Sequence, residues 1–532
     1  MGMTELKGKG MNLRLGIDVG GTNTDAVVLD EKANLLARFK SPTTPDVTSG
    51  IRNALAGLVE RHPELDLGAI RYAMLGTTHC TNAILERRNL NRVGILRIGA
   101  PATLAIPPLV GWPPDLRDAI GGHYVIVEGG HEYDGREIRP LDTKAVREAA
   151  KTFRGEVDSV AVVGVFSPVD SSHEERAAEI VRDVLGDIPI TLSHEIGSIG
   201  LLERENASIL NAAVIDAART AASGFAQALS EHGIRAEMFF SQNDGTLMAL
   251  EYAIRYPILT VASGPANSIR GAAFLSGLRD AIVVDVGGTS TDVGILVNGF
   301  PRESSIAVEI GGVRTNFRMP DLISIALGGG TRIHRSVDGL RIGPDSVGYR
   351  ITEEAYVFGG QTLTLSDIAV AAGLASIGDP RRVENLDYGL VREVIDKVRR
   401  LVEDTIDRIK TSAEPMPVVL VGGGSVIVPP GLAGAAEIYR PENYDVANAI
   451  GAAIAQCSGE IERIFSLDEL TREQALEMAR EMARQEAIRA GAHPDTVEIV
   501  DVIEVPLAYL PGNATRIRVR AAGDLALITS HS

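Results

Sequence analysis

Only two cysteines, Cys80 and Cys457, occur in 532 residues. That excludes a disulfide framework or a cysteine-ligated cluster, and makes a reducing cytoplasm the expected compartment. Positive charge is also short: 52 Lys and Arg against 70 Asp and Glu leave a net charge of −18. Nucleic-acid phosphates and anionic lipid are therefore poor partners for this surface. No apolar run is long enough to cross a bilayer. The opening stretch, MGMTELKGKGMNLRLGIDVGG, lacks the apolar core and small-residue cleavage site of a secretory signal. Aromatics are scarce at 4%, while a hydrophobic share of 45% points to cores of Ala, Val, Ile and Leu. The length suits about two to four domains.

What the chain does contain is one phrase written twice. Residues 13–29 read LRLGIDVGGTNTDAVVL and residues 280–296 read DAIVVDVGGTSTDVGIL. In the first copy Leu15, Ile17 and Val19 are strand residues, Asp18 sits where the strand ends, and Gly20 and Gly21 allow a tight turn or close backbone approach. Thr22 and Thr24 add hydroxyls. Such a turn suits a polyphosphate, with backbone N–H groups and hydroxyls on the oxygens and the carboxylate holding a divalent metal through water. A lone copy is equally well a plain hairpin. Here Asp18, Gly20, Gly21, Thr22, Thr24 and Asp25 recur as Asp285, Gly287, Gly288, Thr289, Thr291 and Asp292 with identical spacing. A duplicated fold gripping a phosphate chain from both sides needs that pattern.

At this point the chain resembles the actin, Hsp70 and sugar-kinase superfamily. The resemblance implies an α/β protein: two ribonuclease-H-like lobes around a nucleotide cleft, followed here by a small C-terminal α+β appendage. The first lobe is expected at 12–200 and the second at 201–456, with 441–456 returning a helix to the first; the appendage covers 457–532. VDSVAVVGVFSPVDSSHEERAAEIVRDVL (157–185) reads as strand, turn and amphipathic helix, and 190–214 as a short strand, an acid at Glu195 and a long helix. By the superfamily's connectivity Glu195 is a candidate to orient the attacking group or the metal. PVVLVGGGSVIVPPGL (417–432) supplies a turn against the adenosine through Gly422, Gly423 and Gly424, and small residues in YDVANAIGAAIAQ (444–456) suit close helix packing. Ser466 and Glu469 form a plausible capping box for a helix over 466–492.

A narrower resemblance, over roughly residues 12–455, is to the A-subunit of the hydantoinase and 5-oxoprolinase family, in its short form. It is carried by MLGTTHCTNAILERRNLNRVGILRIGA (74–100), GGHEYDGREIRPLD (129–142), SQNDGTLMALEYAIRYPILTVASGPANSIRGA (241–272), the second hairpin, and ISIALGGGTRIHRSVDGLRIGPDSVG (323–348). Asn243-Asp244-Gly245 and SGPANS depart from the Ser-Asp-Gly-Gly and SGPAGG frequent in relatives. The resemblance implies use of ATP and Mg²⁺ to phosphorylate the amide oxygen of a cyclic amide such as a hydantoin, lactam or 5-oxoproline. A B-type hydantoinase subunit then completes ring opening, in a hetero-oligomer. Asp18 and Asp285 are assigned to Mg²⁺, Thr22, Thr24, Thr289 and Thr291 with the hairpin glycines to phosphate, and Gly422, Gly423 and Gly424 to the adenosine.

Some residues keep two readings. Asp25 and Asp292 either join the site or brace the hairpins. Thr77, Thr78, Asn82 and Glu86 either face a substrate cleft or cap a helix. Gly328, Gly329 and Gly330 approach a ligand or make a turn. His123, His131 and Asp134 have metal-like spacing but lack a fourth ligand, which favours a solvated loop. Two other function classes fit the clamp: a small-molecule kinase and a non-enzymatic ATP switch.

Overall fold

The computed structural model describes residues 12–44, 47–304, 308–316, 319–336, 339–468, 470–508 and 512–526. Each copy of the phrase is a β-hairpin that opens a ribonuclease-H-like sheet. In the first, Leu13–Val19 pairs antiparallel with Asn23–Leu29, which pairs with Leu35–Pro42; on its other side Leu13–Val19 runs parallel to Ile70–Thr77, which runs parallel to Glu237–Ser241. In the second, Ala281–Val286 pairs antiparallel with Thr291–Val297 and parallel to Met416–Val421, which runs parallel to Ala435–Tyr439. The strands at both sheet centres are apolar along nearly their whole length because helices cover both faces.

The two lobes meet at a pair of helices, Ser263–Ser276 and Ala447–Ile454. They cross backbone to backbone: a Cβ on Gly271 would lie 1.8 Å from the Ala447 carbonyl oxygen, and one on Gly451 1.9 Å from that of Asn267. The small-residue helix Ala447–Ile454 also covers the first hairpin, packing Val446, Ala449, Ile450 and Ala453 on Val27 and Leu29. The expected return of 441–456 to the first lobe has this physical form.

Three expectations differ from what is observed. The division at residue 200 does not coincide with the division between sheets, since Glu237–Ser241 and Leu247–Ala249 belong to the first sheet and the second starts at Ala281. Strand Ser159–Gly164, read as the start of a connecting segment, lies in a separate parallel sheet with His123–Glu128, Val93–Ala100 and Ile190–Leu192. The tail is not detached: Cys457–Ser466 pairs with Leu247 and carries Ala514–Gly523 and Glu498–Pro506, making the first sheet nine-stranded. A strand spends its backbone donors on neighbours, so a tail of alternating apolar residues reaches the exposed edge of a sheet before it folds alone. Ser466 ends that strand, and Glu469 lies outside the described residues. The helix is Arg472–Arg489, capped by a box formed from Thr471 and Gln474. Both cysteines are buried and free. Among the described residues no helix is long and apolar enough to cross a membrane.

Candidate active site

The two hairpins face each other across a cleft of about 1700 Å³. Each turn is closed alike, Gly20 N–H donating to Asn23 O at 3.0 Å and Gly287 N–H to Ser290 O at 2.9 Å. The tips nearly touch. A Cβ on Gly288 would fall 2.2 Å from Thr22 Oγ1, whereas one on Gly21 would clear Thr289 Oγ1 by 3.9 Å.

Four carboxylates converge behind the tips. Register places Asp18 opposite Asp25 and Asp285 opposite Asp292, so each hairpin sets two like charges side by side, an arrangement that destabilises a strand pair unless something offsets it. Asp18 accepts from Asn448 Nδ2 at 2.7 Å and from Asn267 Nδ2 at 3.4 Å. Asp285 accepts from Ser268 Oγ at 2.6 Å. Burial, with Asp25 and Asp285 nearby, pushes the Asp18 carboxyl up to about 7. Burial likewise pushes Asp285 up to about 6. Asp25 is also raised by burial, opposed by the Lys40 ammonium 2.5 Å away. Burial raises Asp292 too, its oxygen taking a hydrogen bond from Ser324 Oγ. Surplus negative charge with a single close ammonium fits a divalent cation, which would restore the ionised state of Asp18 and Asp285. Thr22 Oγ1, buried and without a partner, is a donor left over for an anionic oxygen.

The remaining sequence candidates divide. Gly20, Gly21, Thr22, Gly287, Gly288, Thr289, Gly422, Gly423 and Gly424 line the cleft, with Asp18, Asp25, Asp285 and Asp292. Gly422 adopts φ +81°, and a Cβ there would lie 2.2 Å from Asp285 Oδ1, so only glycine lets that turn press against the carboxylate. Thr24 and Thr291 do not line the cleft. They begin the return strands, where alternation turns their side chains away from the Asp25 and Asp292 face. Thr24 Oγ1 meets Thr43 Oγ1 at 3.3 Å, and Thr291 Oγ1 donates to Leu327 O at 2.5 Å. Gly328–Gly330 mainly brace the second hairpin, Gly329 and Gly330 N–H donating to Gly287 and Gly288 O at 3.0 and 2.7 Å; Gly329 also reaches the cleft.

Glu195 is outside this cleft. The inserted parallel sheet displaces its segment, and the carboxylate pairs with Arg255 at 2.5 Å. Thr78 lines the cleft, while Thr77 Oγ1 accepts the His79 N–H at 3.2 Å; Asn82 and Glu86 are exposed and do not line it. The histidine cluster regroups as His131, Glu137 and His173, leaving His123 out and Asp134 paired with Arg136. His173 Nδ1 accepts the Gly130 N–H at 3.0 Å, so the neutral ring carries its proton on Nε2, facing Glu137 Oε1 at 3.0 Å. The lone pair that a metal needs is absent there.

Two groups of lining residues escaped sequence reading. Phe358, Leu365, Leu374 and Ile377 give an apolar wall beyond Gly424, and Thr81, Leu85, Val261, Ile310 and Met319 line the end beside Thr78. The first has no motif, the second takes Thr81, Leu85 and Val261 from the quoted stretches 74–100 and 241–272, and each is assembled from segments far apart in the chain. Hairpin Val308–Ile310 with Val313–Thr315 crosses from the second lobe to reach the first, where Arg87 donates to Gly311 O at 2.9 Å and Asn206 to Arg314 O at 2.8 Å.

Fold and cleft define a two-lobed α/β protein of the actin, Hsp70 and sugar-kinase type, with facing acidic hairpins. The profile described as "Hydantoinase/oxoprolinase N-terminal region" matches residues 14–185, and "Hydantoinase/oxoprolinase" matches 204–377. The chain belongs to the hydantoinase/oxoprolinase family. It is 29% identical over 396 residues to the caprolactamase alpha subunit of Pseudomonas jessenii, covering 69% of this chain and 55% of that one. It is 28% identical over 397 residues to the acetophenone carboxylase gamma subunit of Aromatoleum aromaticum, covering 68% and 53%. The chain thus spans little more than half the length of these relatives. The crystal structure of ATP-dependent caprolactamase from Pseudomonas jessenii superposes with a TM-score of 0.75 at 21% identity, covering 96% of this chain and 88% of that one.

Proposed function

We propose that this chain is the ATP-using subunit of a cyclic amidase: it transfers the γ-phosphoryl group of ATP to the amide oxygen of a hydantoin, lactam or 5-oxoproline ring. A B-type partner subunit then completes hydrolysis. The observation that carries the reading is the pair Asp18, buried, and Asp285, half-buried, carboxylates from opposite lobes behind facing glycine turns. A bound Mg²⁺ would neutralise the polyphosphate and make ADP a better leaving group. Asp18 and Asp285 would hold it through water. Backbone amides at Gly21 and Thr22 and at Gly288 and Thr289, with the Thr22 hydroxyl, present donors to the phosphate oxygens. The turn Gly422–Gly424 and the apolar wall of Phe358, Leu374 and Ile377 suit the nucleoside, and the end lined by Thr78, Thr81, Leu85 and Ile310 suits the ring. At that end the amide oxygen bonds to the γ-phosphorus as the bond to the bridging oxygen of ADP breaks. The resulting imidyl phosphate has a good leaving group where the amide had none. Two relatives bear the names of enzyme subunits, which supports a partner.

The test incubates the chain with ATP, Mg²⁺ and a panel of cyclic amides, with and without a candidate partner, following ADP and ring-opened product together. ADP formation coupled to ring opening only when both proteins are present is expected. Equal ring opening without ATP sinks the mechanism, and a stable phosphorylated product from the chain alone converts the reading to a small-molecule kinase.

A further inference from the structure

Two neighbouring residues of helix Ser263–Ser276 reach opposite lobes. Asn267 donates from Nδ2 to Asp18 Oδ1 of the first hairpin at 3.4 Å, and Ser268 donates from Oγ to Asp285 Oδ2 of the second at 2.6 Å. Adjacent helical side chains diverge by roughly 100°, so consecutive positions suit two partners on different sides of one helix. The helix is fixed in place. The close crossing at Gly271 and Gly451 leaves no room to slide against Ala447–Ile454, and Asn448 of that second helix gives Asp18 its other donor at 2.7 Å. Carboxylates of two lobes are thereby referred to a single rigid element.

Asn267 is fully buried and its Oδ1 has no hydrogen-bond partner. An unsatisfied buried amide oxygen costs stability, and a small apolar residue at this position would avoid the cost. What the asparagine supplies in return is the donor to Asp18. Ser268 differs in that it also lines the cleft. Next to it, Gly76 has no side chain because a Cβ would lie 2.4 Å from Asp18 Oδ1 and 2.5 Å from Asn267 Nδ2. The neighbourhood is cleared for this contact.

We propose that Asn267 and Ser268 are positioning residues that set the orientation and mutual spacing of the Asp18 and Asp285 carboxylates for a nucleotide-bound divalent cation. The proposal rests on the reading of those two aspartates as the metal-orienting pair. Without Ser268 the Asp285 carboxylate loses its side-chain donor, and without Asn267 the Asp18 carboxylate is held at one oxygen, by Asn448; the cation must then fix what the donors no longer fix while it binds. The contribution is therefore to metal affinity and not to the nucleotide itself. Groups one hydrogen bond behind a direct metal ligand change metal affinity by roughly 10- to 100-fold; because these acids reach the cation through water, the low end of that range is expected.

The experiment titrates ADP into the full chain by calorimetry at stepped Mg²⁺ concentrations, for the parent, Asn267→Ala, Ser268→Ala and Ser268→Thr, with a melting curve of each. Each Ala variant is expected to need roughly tenfold more Mg²⁺ for half-maximal ADP binding, with metal-free ADP affinity unchanged. Ser268→Thr keeps the hydroxyl and is expected to match the parent. Ser268→Ala removes one oxygen only, so the test stands on it even where Asn267→Ala lowers the melting temperature. Folded Ala variants whose Mg²⁺ requirement equals the parent's overturn the positioning role while leaving the nucleotide site intact. A parent that binds ADP without regard to Mg²⁺ overturns both together.

Discussion

The two hairpins share a sequence phrase and a turn geometry but are held in different ways. The first is supported chiefly by side chains: Lys40 offsets Asp25, two amides, Asn267 and Asn448, hold Asp18, and Thr43 donates from Oγ1 to Gly20 O as well as from its N–H to Thr22 O. The second is supported by backbone. Gly329 and Gly330 donate to its tip, Gly422 presses on Asp285, and its acids have only hydroxyl donors, Ser268 and Ser324. The two hairpins share the geometry that faces the cleft, and each lobe stabilises it separately. The carboxylates should therefore be equivalent in chemistry and unequal in energetics.

The largest effect tests the equivalence. Asp18→Asn and Asp285→Asn should each lower ATP turnover by at least about 100-fold, as removing a transition-state electrostatic group does, with far-UV circular dichroism unchanged. The parent should gain about 2.7 kcal/mol of stability from Mg-ATP at 100 times Kd, and both variants should lose most of that gain in a thermal shift. One variant that turns over at the parental rate would restrict the metal to the other lobe. Next in size is a steric asymmetry. Gly288→Ala drives a Cβ to within 2.2 Å of Thr22 Oγ1, whereas Gly21→Ala meets Thr289 Oγ1 at an ordinary 3.9 Å. The first should weaken nucleotide affinity by roughly tenfold, a cost of about 1.4 kcal/mol, and the second by much less. Equal effects in a binding titration would mean that the tips part when the nucleotide enters.

The hairpins were legible in the sequence because strand, turn and carboxylate are contiguous and the phrase occurs twice. So was the glycine turn at Gly422, whose role depends on missing side chains. Glu195 failed because its assignment followed the superfamily's order of connection, and here a whole parallel sheet, centred on Val93–Ala100, is inserted in the first lobe. Thr24 and Thr291 were one residue too far along a strand, where alternation reverses the face. Asn267 and Ser268 were visible only as a departure from SGPAGG; nothing local indicates that their neighbours in space are 249 and 17 residues away in sequence. The apolar wall of Phe358, Leu365, Leu374 and Ile377, built from distant segments, has no sequence signature, and the other end takes Thr81, Leu85 and Val261 from quoted motifs without any sign that they share a cleft.

Charge compensation separates the lobes further. Lys40→Met leaves Asp25 buried without its cation. Breaking a fully buried pair costs about 3–5 kcal/mol; the Lys40 side chain is 32% exposed, so a loss nearer 1–2 kcal/mol is expected from urea unfolding at pH 8. Lowering the pH should shrink the loss, since Asp25 can then take up a proton. No such cation stands beside Asp292, and Ser324→Ala should cost less. A larger loss from Ser324→Ala would reverse the assignment of side-chain support to the first lobe.

The smallest effect concerns the two acids proposed to orient the metal. Both have folded-state values above the unfolded 3.8, about 7 for Asp18 and about 6 for Asp285. The folded protein thus binds protons that the unfolded chain has released, and stability falls as pH rises from about 4. The cost from Asp285 is complete above about 6 and that from Asp18 above about 7. In metal-free protein at pH 8, removing either charge should stabilise. Asn at 285 can accept from the Ser268 hydroxyl, and Asn at 18 can be met by turning the Asn267 amide so that its unpartnered Oδ1 accepts. The Asp18 carboxyl is raised further than that of Asp285, so Asp18→Asn should stabilise the metal-free protein more than Asp285→Asn at pH 8. The gap should vanish near pH 4, where both acids are protonated in the folded state. Saturating Mg-ATP should reverse the order for each variant against the parent, because the parent alone can ionise both acids against a cation. Denaturant melts at the two pH values, with and without Mg-ATP, measure all of these terms. A gap of opposite sign at pH 8 would show that the two amides on Asp18 hold its charge more firmly than the single hydroxyl holds that of Asp285.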